Sequence, residues 1–115
     1  MVEGGTTVRL AWFAQVAAAL STEYGVSRGK PGSRTFGLWA LQVDKKTFAK
    51  ISSAGHFLVR LTKQRVDALT TAGRGRRYEP RRGRPMNEWL DVHSESSDEW
   101  RELALEALSF VRSLP

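Results

Sequence analysis

The stretch from Arg74 to Trp89 carries the most distinctive side-chain chemistry of the sequence. Six of the eleven residues from position 74 to position 84 are arginines, and the only acid among the eleven is Glu79. Guanidinium groups bind phosphate oxygens in pairs, and the stretch's glycines allow a polyanion to approach the backbone closely. We therefore expect a cationic loop that binds nucleic acid, chiefly through sequence-independent phosphate contacts. The candidate contact residues are Arg74, Arg76, Arg77, Arg81, Arg82 and Arg84.

A second basic segment precedes the first predicted strand. Its candidate contact residues are Arg28, Lys30 and Arg34, in a stretch rich in Gly, Ser and Pro that is typical of a loop. Two interpretations stay open, because the sequence does not show whether the two basic loops share one face. In one, the cations of both loops form one surface for DNA; in the other, they point separately into water. For the arginine-rich stretch itself, the alternative to DNA binding is a solvated hairpin that only connects two strands.

Tyr78 lies among the arginines and is a candidate for stacking on an unpaired base. The alternative is that its ring is half-buried against the sheet. The four tryptophans, at positions 12, 39, 89 and 100, are expected to belong to the core.

The residues that usually carry catalysis are sparse. The only histidines are His56 and His93, and Asp91 with His93 supplies two metal ligands on one side of a strand but no third. Ser52 and Ser53 lack a nucleophile motif, and no glycine-rich phosphate loop opens a helix. We therefore predict no enzymatic activity, no cofactor, no metal and no small-molecule substrate.

Length and composition predict one domain. A chain of 115 residues with 41% hydrophobic content is large enough for one core, and it has no cysteine for a disulfide or a thiolate site. No leader or membrane-spanning run is visible, so we expect a cytoplasmic protein without membrane contact. Residues 1–85 carry a net charge of +11 and residues 86–115 a net charge of −5, as expected of a protein that docks one basic face on a polyanion.

Hydrophobic periodicity and turn residues predict the elements that position these side chains. Short connections between the first three strands require antiparallel pairing. The result is an α+β domain with two layers, an antiparallel sheet with helices packed on it, in the order α-β-β-β-α-β-β-α. The predicted helices lie at about 6–24, 63–71 and 98–113, and the predicted strands at 35–43, 47–51, 56–61, 77–79 and 86–93.

Several of these segments, taken in order, resemble the MmcQ/YjbR family, which is related to the N-terminal domain of the competence regulator TfoX. The similarity covers roughly residues 6 to 114. It rests on the order and spacing of Thr35–Trp39, Lys46–Ile51, Leu58–Leu61, Tyr78–Pro80 and Gly83–Trp89. The resemblance implies a secretion-chaperone-like α+β fold and a DNA-binding role through a double wing, with no enzymatic activity. Carried onto this chain, the resemblance implies that the wings are loops between strands and that the arginine-rich wing is Arg74–Arg84. The contact arginines themselves are chosen by their charge alone.

Two hypotheses from different classes follow. The first is a DNA-binding module that uses the basic loops. The second is a protein-interaction module, in which the sheet or the terminal helix binds a partner or a second copy and the arginines steer or solubilise. We expect a monomer or a weak homodimer in either case.

Overall fold

One antiparallel sheet organises the part of the chain that the computed structural model describes, residues 2–28, 39–52, 54–81 and 83–115. Within these ranges the side chains of residues 2–7, 39, 81, 84 and 85 are outside the description. The six described strands lie in the order β1-β2-β3-β4-β6-β5. They are β1 Val26–Arg28, β2 Trp39–Val43, β3 Lys46–Ile51, β4 Phe57–Arg60, β5 Gly75–Arg81 and β6 Arg84–Val92.

Three helices accompany the described strands: α1 Val2–Leu20, α2 Lys63–Thr71 and α3 Ser97–Arg112. The hydroxyl of Thr62 accepts a hydrogen bond from the backbone N–H of Arg65 at 3.1 Å and caps α2. Ser96 caps α3 in the same way, accepting from the backbone N–H of Glu99 at 3.3 Å. None of the described helices is long and apolar enough to span a bilayer.

All three helices contribute to one hydrophobic core on one face of the sheet. Cross-strand pairing places Leu41, Ala49, Val59 and Leu90 in one row across the four central strands, and each of these side chains is fully buried. The Trp100 ring of α3 stacks on Phe57 with ring centroids 4.3 Å apart. This stacking places α3 directly over the centre of the sheet.

The neighbouring cross-strand row consists of Lys50, Leu58, Asp91 and Arg76. Successive side chains of a strand point to opposite faces, so this row lies on the face opposite the helices. Leu58 is 2% exposed but is not part of the main core. The face opposite the helices therefore combines a buried apolar residue with charged groups on either side.

The predicted fold class, a two-layer α+β domain with an antiparallel sheet, is confirmed. The differences from the predicted elements are local. Helix α1 begins at Val2 and ends at Leu20, and Val26–Arg28, predicted as loop, forms the short edge strand β1 on β2. The Gly and Ser residues nearby hid this strand, because its only support is pairing to a segment outside its sequence neighbourhood.

The arginine-rich stretch, predicted as a loop that contains a short strand at 77–79 and leads into a strand at 86–93, is mostly strand: β5 covers Gly75–Arg81 and β6 covers Arg84–Val92. Strands β5 and β6 form an antiparallel hairpin through it, with shifts of register on either side of Tyr78, and Gly83 has a φ of +78°. Arginine has little intrinsic strand preference and the stretch contains Pro80, so local patterns predicted a loop. Pro80 lies in an edge strand of the described sheet, within the irregular pairing between Tyr78 and Arg81, and such positions tolerate proline.

Candidate nucleic-acid interface

The β5–β6 hairpin extends beyond the rest of the sheet. Strand β6 pairs with β4 only from Trp89 to Val92, whereas its pairing with β5 continues through Met86 to Arg84. The strand residues 78–81 and 84–87 therefore form a ribbon of two strands past the end of β4. We call residues 78–87 the distal arm. At the tip of this ribbon, the last residue of β5, Arg81, pairs with the first residue of β6, Arg84.

Two of the predicted contact arginines, at the base of the hairpin, are held by carboxylates of the helices. Arg74 forms an ion pair with Glu99 of α3, and its Nε donates to Glu99 Oε2 at 3.2 Å. Arg77 forms an ion pair with Asp67 of α2, and its side chain is only 29% exposed. A phosphate would have to compete with these carboxylates, so Arg74 and Arg77 contribute less to an anion surface than their charges indicate.

Arg76 is differently placed. It lies on the face opposite the helices, directly across from Asp91 on β6, and its side chain is 69% exposed. Its Nε is 3.7 Å from Asp91 Oδ2, a distance too long for a strong hydrogen bond. Its guanidinium is therefore available to solvent.

The remaining predicted residues of the hairpin, Arg81, Arg82 and Arg84, are at its end. The backbone of Arg81 and Arg84 closes the ribbon, while Arg82 and the side chains of Arg81 and Arg84 lie outside the described part of the structure. The carboxylate of Glu79 accepts a hydrogen bond from the backbone N–H of Gly83 at 2.5 Å. The one acid of the stretch thus binds the backbone of Gly83 beside the turn.

The second basic segment starts at the opposite edge of the sheet. Arg28 on β1 and Arg77 on β5 are the two ends of one cross-strand row, separated by five strand spacings, or roughly 24 Å at the usual spacing. Arg28 is therefore not brought together with the arginines of the hairpin. Lys30 and Arg34 lie outside the described residues.

Tyr78 is half-buried, and an amine of the protein lies over its ring. Lys50 Nζ is 5.6 Å from the Tyr78 ring centroid and 4.9 Å from that of Trp89, so both rings make cation–π contacts with one ammonium. Burial lowers the pKa of Lys50. A base that stacked on this face of the Tyr78 ring would have to displace Lys50. The arrangement agrees with the alternative interpretation, in which the ring is half-buried against the sheet.

The tryptophans divide between the two faces of the sheet. Trp100 is in the core and Trp12 packs edge-on against it, with centroids 5.4 Å apart, whereas Trp89 is 9% exposed on the face opposite the helices. The side chain of Trp39 is outside the description.

The contact between Asp91 and His56 could not be predicted from the sequence, which suggested only that Asp91 and His93 lie on one side of a strand. Asp91 Oδ2 instead lies 3.3 Å from His56 Nδ1, across two neighbouring antiparallel strands. The Asp91 side chain is 7% exposed, and its Oδ1 is buried without a hydrogen-bond partner in the described part of the chain. The missing signal was the adjacency of β4 and β6, which no local pattern contains. No three described His, Asp or Glu residues gather in a way that could hold a metal ion.

Comparison with known protein families, with curated proteins and with solved structures found no match to this chain. The resemblance to the MmcQ/YjbR family therefore stays a prediction, and the geometry of the described residues has to support any function on its own.

Proposed function

We propose that this chain is a DNA-binding module whose contact element is the distal arm of the β5–β6 hairpin. In this proposal the protein acts in the cytoplasm without catalysing a reaction, as the resemblance to MmcQ/YjbR proteins implies. The observation that carries the proposal is a ribbon of two strands that extends beyond β4 and ends in the sequence Arg81-Arg82-Gly83-Arg84.

The shape of the arm suits a nucleic-acid groove. The major groove of B-form DNA admits a β-ribbon of two strands. The arm has a net charge of +2 over residues 78–87, with three arginines at its end and Glu79 engaged with the turn. Insertion of this end would place the guanidinium groups among phosphates, where they bind bidentately.

The placement of the other arginines narrows the contact set. Arg76 adds a solvent-exposed guanidinium along the same ribbon, while Arg74 and Arg77 are committed to Glu99 and Asp67. The proposed contact residues are therefore Arg76 and the three arginines of the distal end. Arg28, at the far edge of the sheet, is not included.

The experiment is a salt series of binding to duplex DNA, measured by fluorescence anisotropy. The variant Arg81→Gln/Arg82→Gln/Arg84→Gln removes the charge of the distal end. The matched control Lys45→Gln/Lys63→Gln/Arg101→Gln removes the same charge from exposed positions elsewhere. Each lost phosphate contact reduces the slope of log K against log salt by about 0.9, so the distal variant is expected to lose two to three times that amount, roughly 2 to 3 in slope.

Equal losses in the two variants would show that net charge alone drives binding and would remove the arm from the proposal. Absence of salt-dependent binding by the unaltered chain would overturn the proposal as a whole.

The protein-interaction alternative has one specific observation in its favour. Strand β5 is an edge strand of the sheet formed by the described residues, and within that sheet the backbone groups on its open side are available to pair with an extended segment of a partner or of a second copy. Sedimentation of the chain alone over a range of concentrations tests self-association. A stable dimer that dissociates in the variant Arg76→Pro, which removes a backbone donor from β5, would favour this alternative.

A further inference from the structure

A small cleft lies at the base of the β5–β6 hairpin, at the end opposite the distal arm. Its volume is 270 Å³, and its charged and polar lining consists of Arg9, His56, Arg76, Asp91, His93 and Glu95. Arg76, which pairs with Asp91, is five residues along β5 from Arg81, or roughly 17 Å at the usual strand rise. The cleft is therefore separate from the distal end of the arm.

Arg9 of α1 builds one wall of the cleft. Its Nε donates to the Gly55 carbonyl at 2.7 Å, its Nη2 donates to the Val92 carbonyl at 3.3 Å, and its Nη1 donates to Glu95 at 2.9 Å. Its guanidinium also lies over the Trp100 ring, 4.8 Å from the centroid. This arginine is fully used in holding the turn before β4 against the end of β6, and it neutralises Glu95.

Asp91 forms the floor. Its buried Oδ2 faces both His56 Nδ1, at 3.3 Å, and Arg76 Nε, at 3.7 Å. A buried carboxylate is stable only when donors compensate its charge. This requirement favours hydrogen on His56 Nδ1. Nε2, which points away from Asp91, carries a hydrogen to donate to a phosphate only in the imidazolium form. Arg76 Nε lies beside the same carboxylate oxygen, and its terminal nitrogens have no hydrogen-bond partner among the described residues.

The exposed groups that remain for a ligand are mainly donors, whereas the acceptor without a described partner, Asp91 Oδ1, is buried. Arg76 and His56 are 69% and 53% exposed in their side chains, and His93 is also exposed. The one exposed acid of the lining, Glu95, is paired with Arg9. A cleft with free guanidinium and imidazole groups and a neutralised acid fits an anion better than a cation.

We propose that this cleft binds a terminal phosphate group, with the Arg76 guanidinium and the His56 imidazole as its ligands and Asp91 as the residue that positions both. The volume fits a phosphate better than a complete small-molecule ligand, since the pockets for such ligands are generally larger. The phosphate has two sources with the same chemistry, free phosphate and the phosphorylated end of a nucleic acid. The second source rests on the proposed DNA-binding function.

The first experiment is a titration with inorganic phosphate, followed by amide chemical shifts of the folded chain. Saturable shifts confined to residues 54–56, 74–76 and 91–95 are expected. Arg76→Gln and His56→Gln should each weaken phosphate binding about tenfold or more, as loss of a charge-assisted hydrogen bond does. Arg76→Lys, which keeps the charge but not the bidentate fork, should fall between Arg76→Gln and the unaltered chain.

The matched control is Arg101→Gln, which removes one exposed guanidinium from α3. Its phosphate affinity should be unchanged. Absence of saturable shifts, or an equal loss in Arg101→Gln and Arg76→Gln, would overturn the phosphate site. Thermal unfolding of each variant shows whether it is folded, and Arg76→Lys keeps the test decisive if His56→Gln unfolds.

The second experiment separates the two sources and the two proposals. Single-stranded DNA with and without a 5′ phosphate is compared in the unaltered chain and in Arg81→Gln/Arg82→Gln/Arg84→Gln. The distal variant should keep its affinity for inorganic phosphate even where DNA binding is lost. A gain from the 5′ phosphate that disappears in Arg76→Gln supports the nucleic-acid end as the ligand. No gain restricts the ligand to free phosphate or a small phosphomonoester.

Discussion

Arg77 of β5 is ion-paired with Asp67 of α2, and both residues belong to the basic segment of residues 1–85. The pair joins the edge strand to the helix that follows β4, on the helix side of the sheet. Arg77, which the sequence made a candidate for DNA contact, therefore links β5 to α2. The charge that remains for a partner is shifted toward Arg76 and the distal end of the hairpin.

This pairing predicts a measurable coupling between Asp67 and Arg77. Their side chains are 43% and 29% exposed, so solvent screening limits the interaction to about 0.5–1 kcal/mol. A double-mutant cycle of Asp67→Ala and Arg77→Ala, measured by urea unfolding, should show this coupling. Lys63→Ala is the control. Lys63 is the other cation near Asp67, with its Nζ 3.2 Å from Asp67 Oδ2, but it belongs to α2 and its pair with Asp67 does not link the helix to the sheet. A coupling of zero would mean that the pair does not join α2 to β5.

Arg77→Gln should also leave DNA affinity nearly unchanged, whereas Arg76→Gln should lower it. The two residues are adjacent and lose the same charge, but they lie on opposite faces of β5 with different partners. Anisotropy titrations of the two variants at one salt concentration test the difference. Equal effects would contradict the assignment of Arg77 to the fold.

The Phe57–Trp100 stack should dominate the stability of the helix-covered core. Trp100 is fully buried, packs against Trp12 as well as Phe57, and donates its indole N–H to the Ser94 carbonyl at 2.9 Å. Trp100→Ala should therefore lower the free energy of unfolding by about 3–5 kcal/mol. Trp89→Ala, on the other face and outside this core, should cost less. Denaturant unfolding of both variants, followed by circular dichroism, tests the order, and a larger loss at Trp89 would contradict it.

Two glycines near α2 should respond to alanine for different reasons. A methyl group on Gly75 would lie 2.5 Å from the Asp91 carbonyl oxygen and 3.0 Å from the Leu90 side chain, so Gly75→Ala should push β5 away from β6. Overpacking of this kind typically costs about 1–3 kcal/mol. Gly73 has open space but a φ of +76°, so Gly73→Ala should cost only about 1 kcal/mol, and Gly73→Asn less. Thermal unfolding of the three variants tests this ranking, which equal losses for Gly75→Ala and Gly73→Ala would refute.

Lys50 predicts a pH dependence of stability. Burial lowers its pKa in the folded chain below the ordinary value of 10.5, so between the two pKa values the unfolded chain binds more protons. Stability from this residue therefore rises with pH across that window. Lys50→Met keeps much of the packing and has no charge to desolvate. As the pH rises toward 10.5, the free energy of unfolding of the unaltered chain should increase relative to that of Lys50→Met. A difference between the two that does not change with pH would contradict the burial effect.

The class of fold and several element boundaries could be predicted from the sequence because they depend on local signals. The Thr62 cap and the apolar spacing of residues 63–71 were sufficient for α2, and Trp100 with the apolar positions after it was sufficient for α3. Turn residues at 44–45, where Asp44 and Lys45 both have positive φ, marked the β2–β3 hairpin. In each case the determining interactions lie within a few residues of each other.

The sequence by itself determined that this chain has an antiparallel α+β fold and a concentrated run of arginines. Only the tertiary structure decided which of those arginines face a partner. Insertion of β6 between β4 and β5 made the arginine stretch an edge ribbon, placed Asp67 and Glu99 beside Arg77 and Arg74, and brought His56 to Asp91. Strand order and long-range ion pairs depend on residues far apart in the chain, and local periodicity does not encode which distant segments become neighbours.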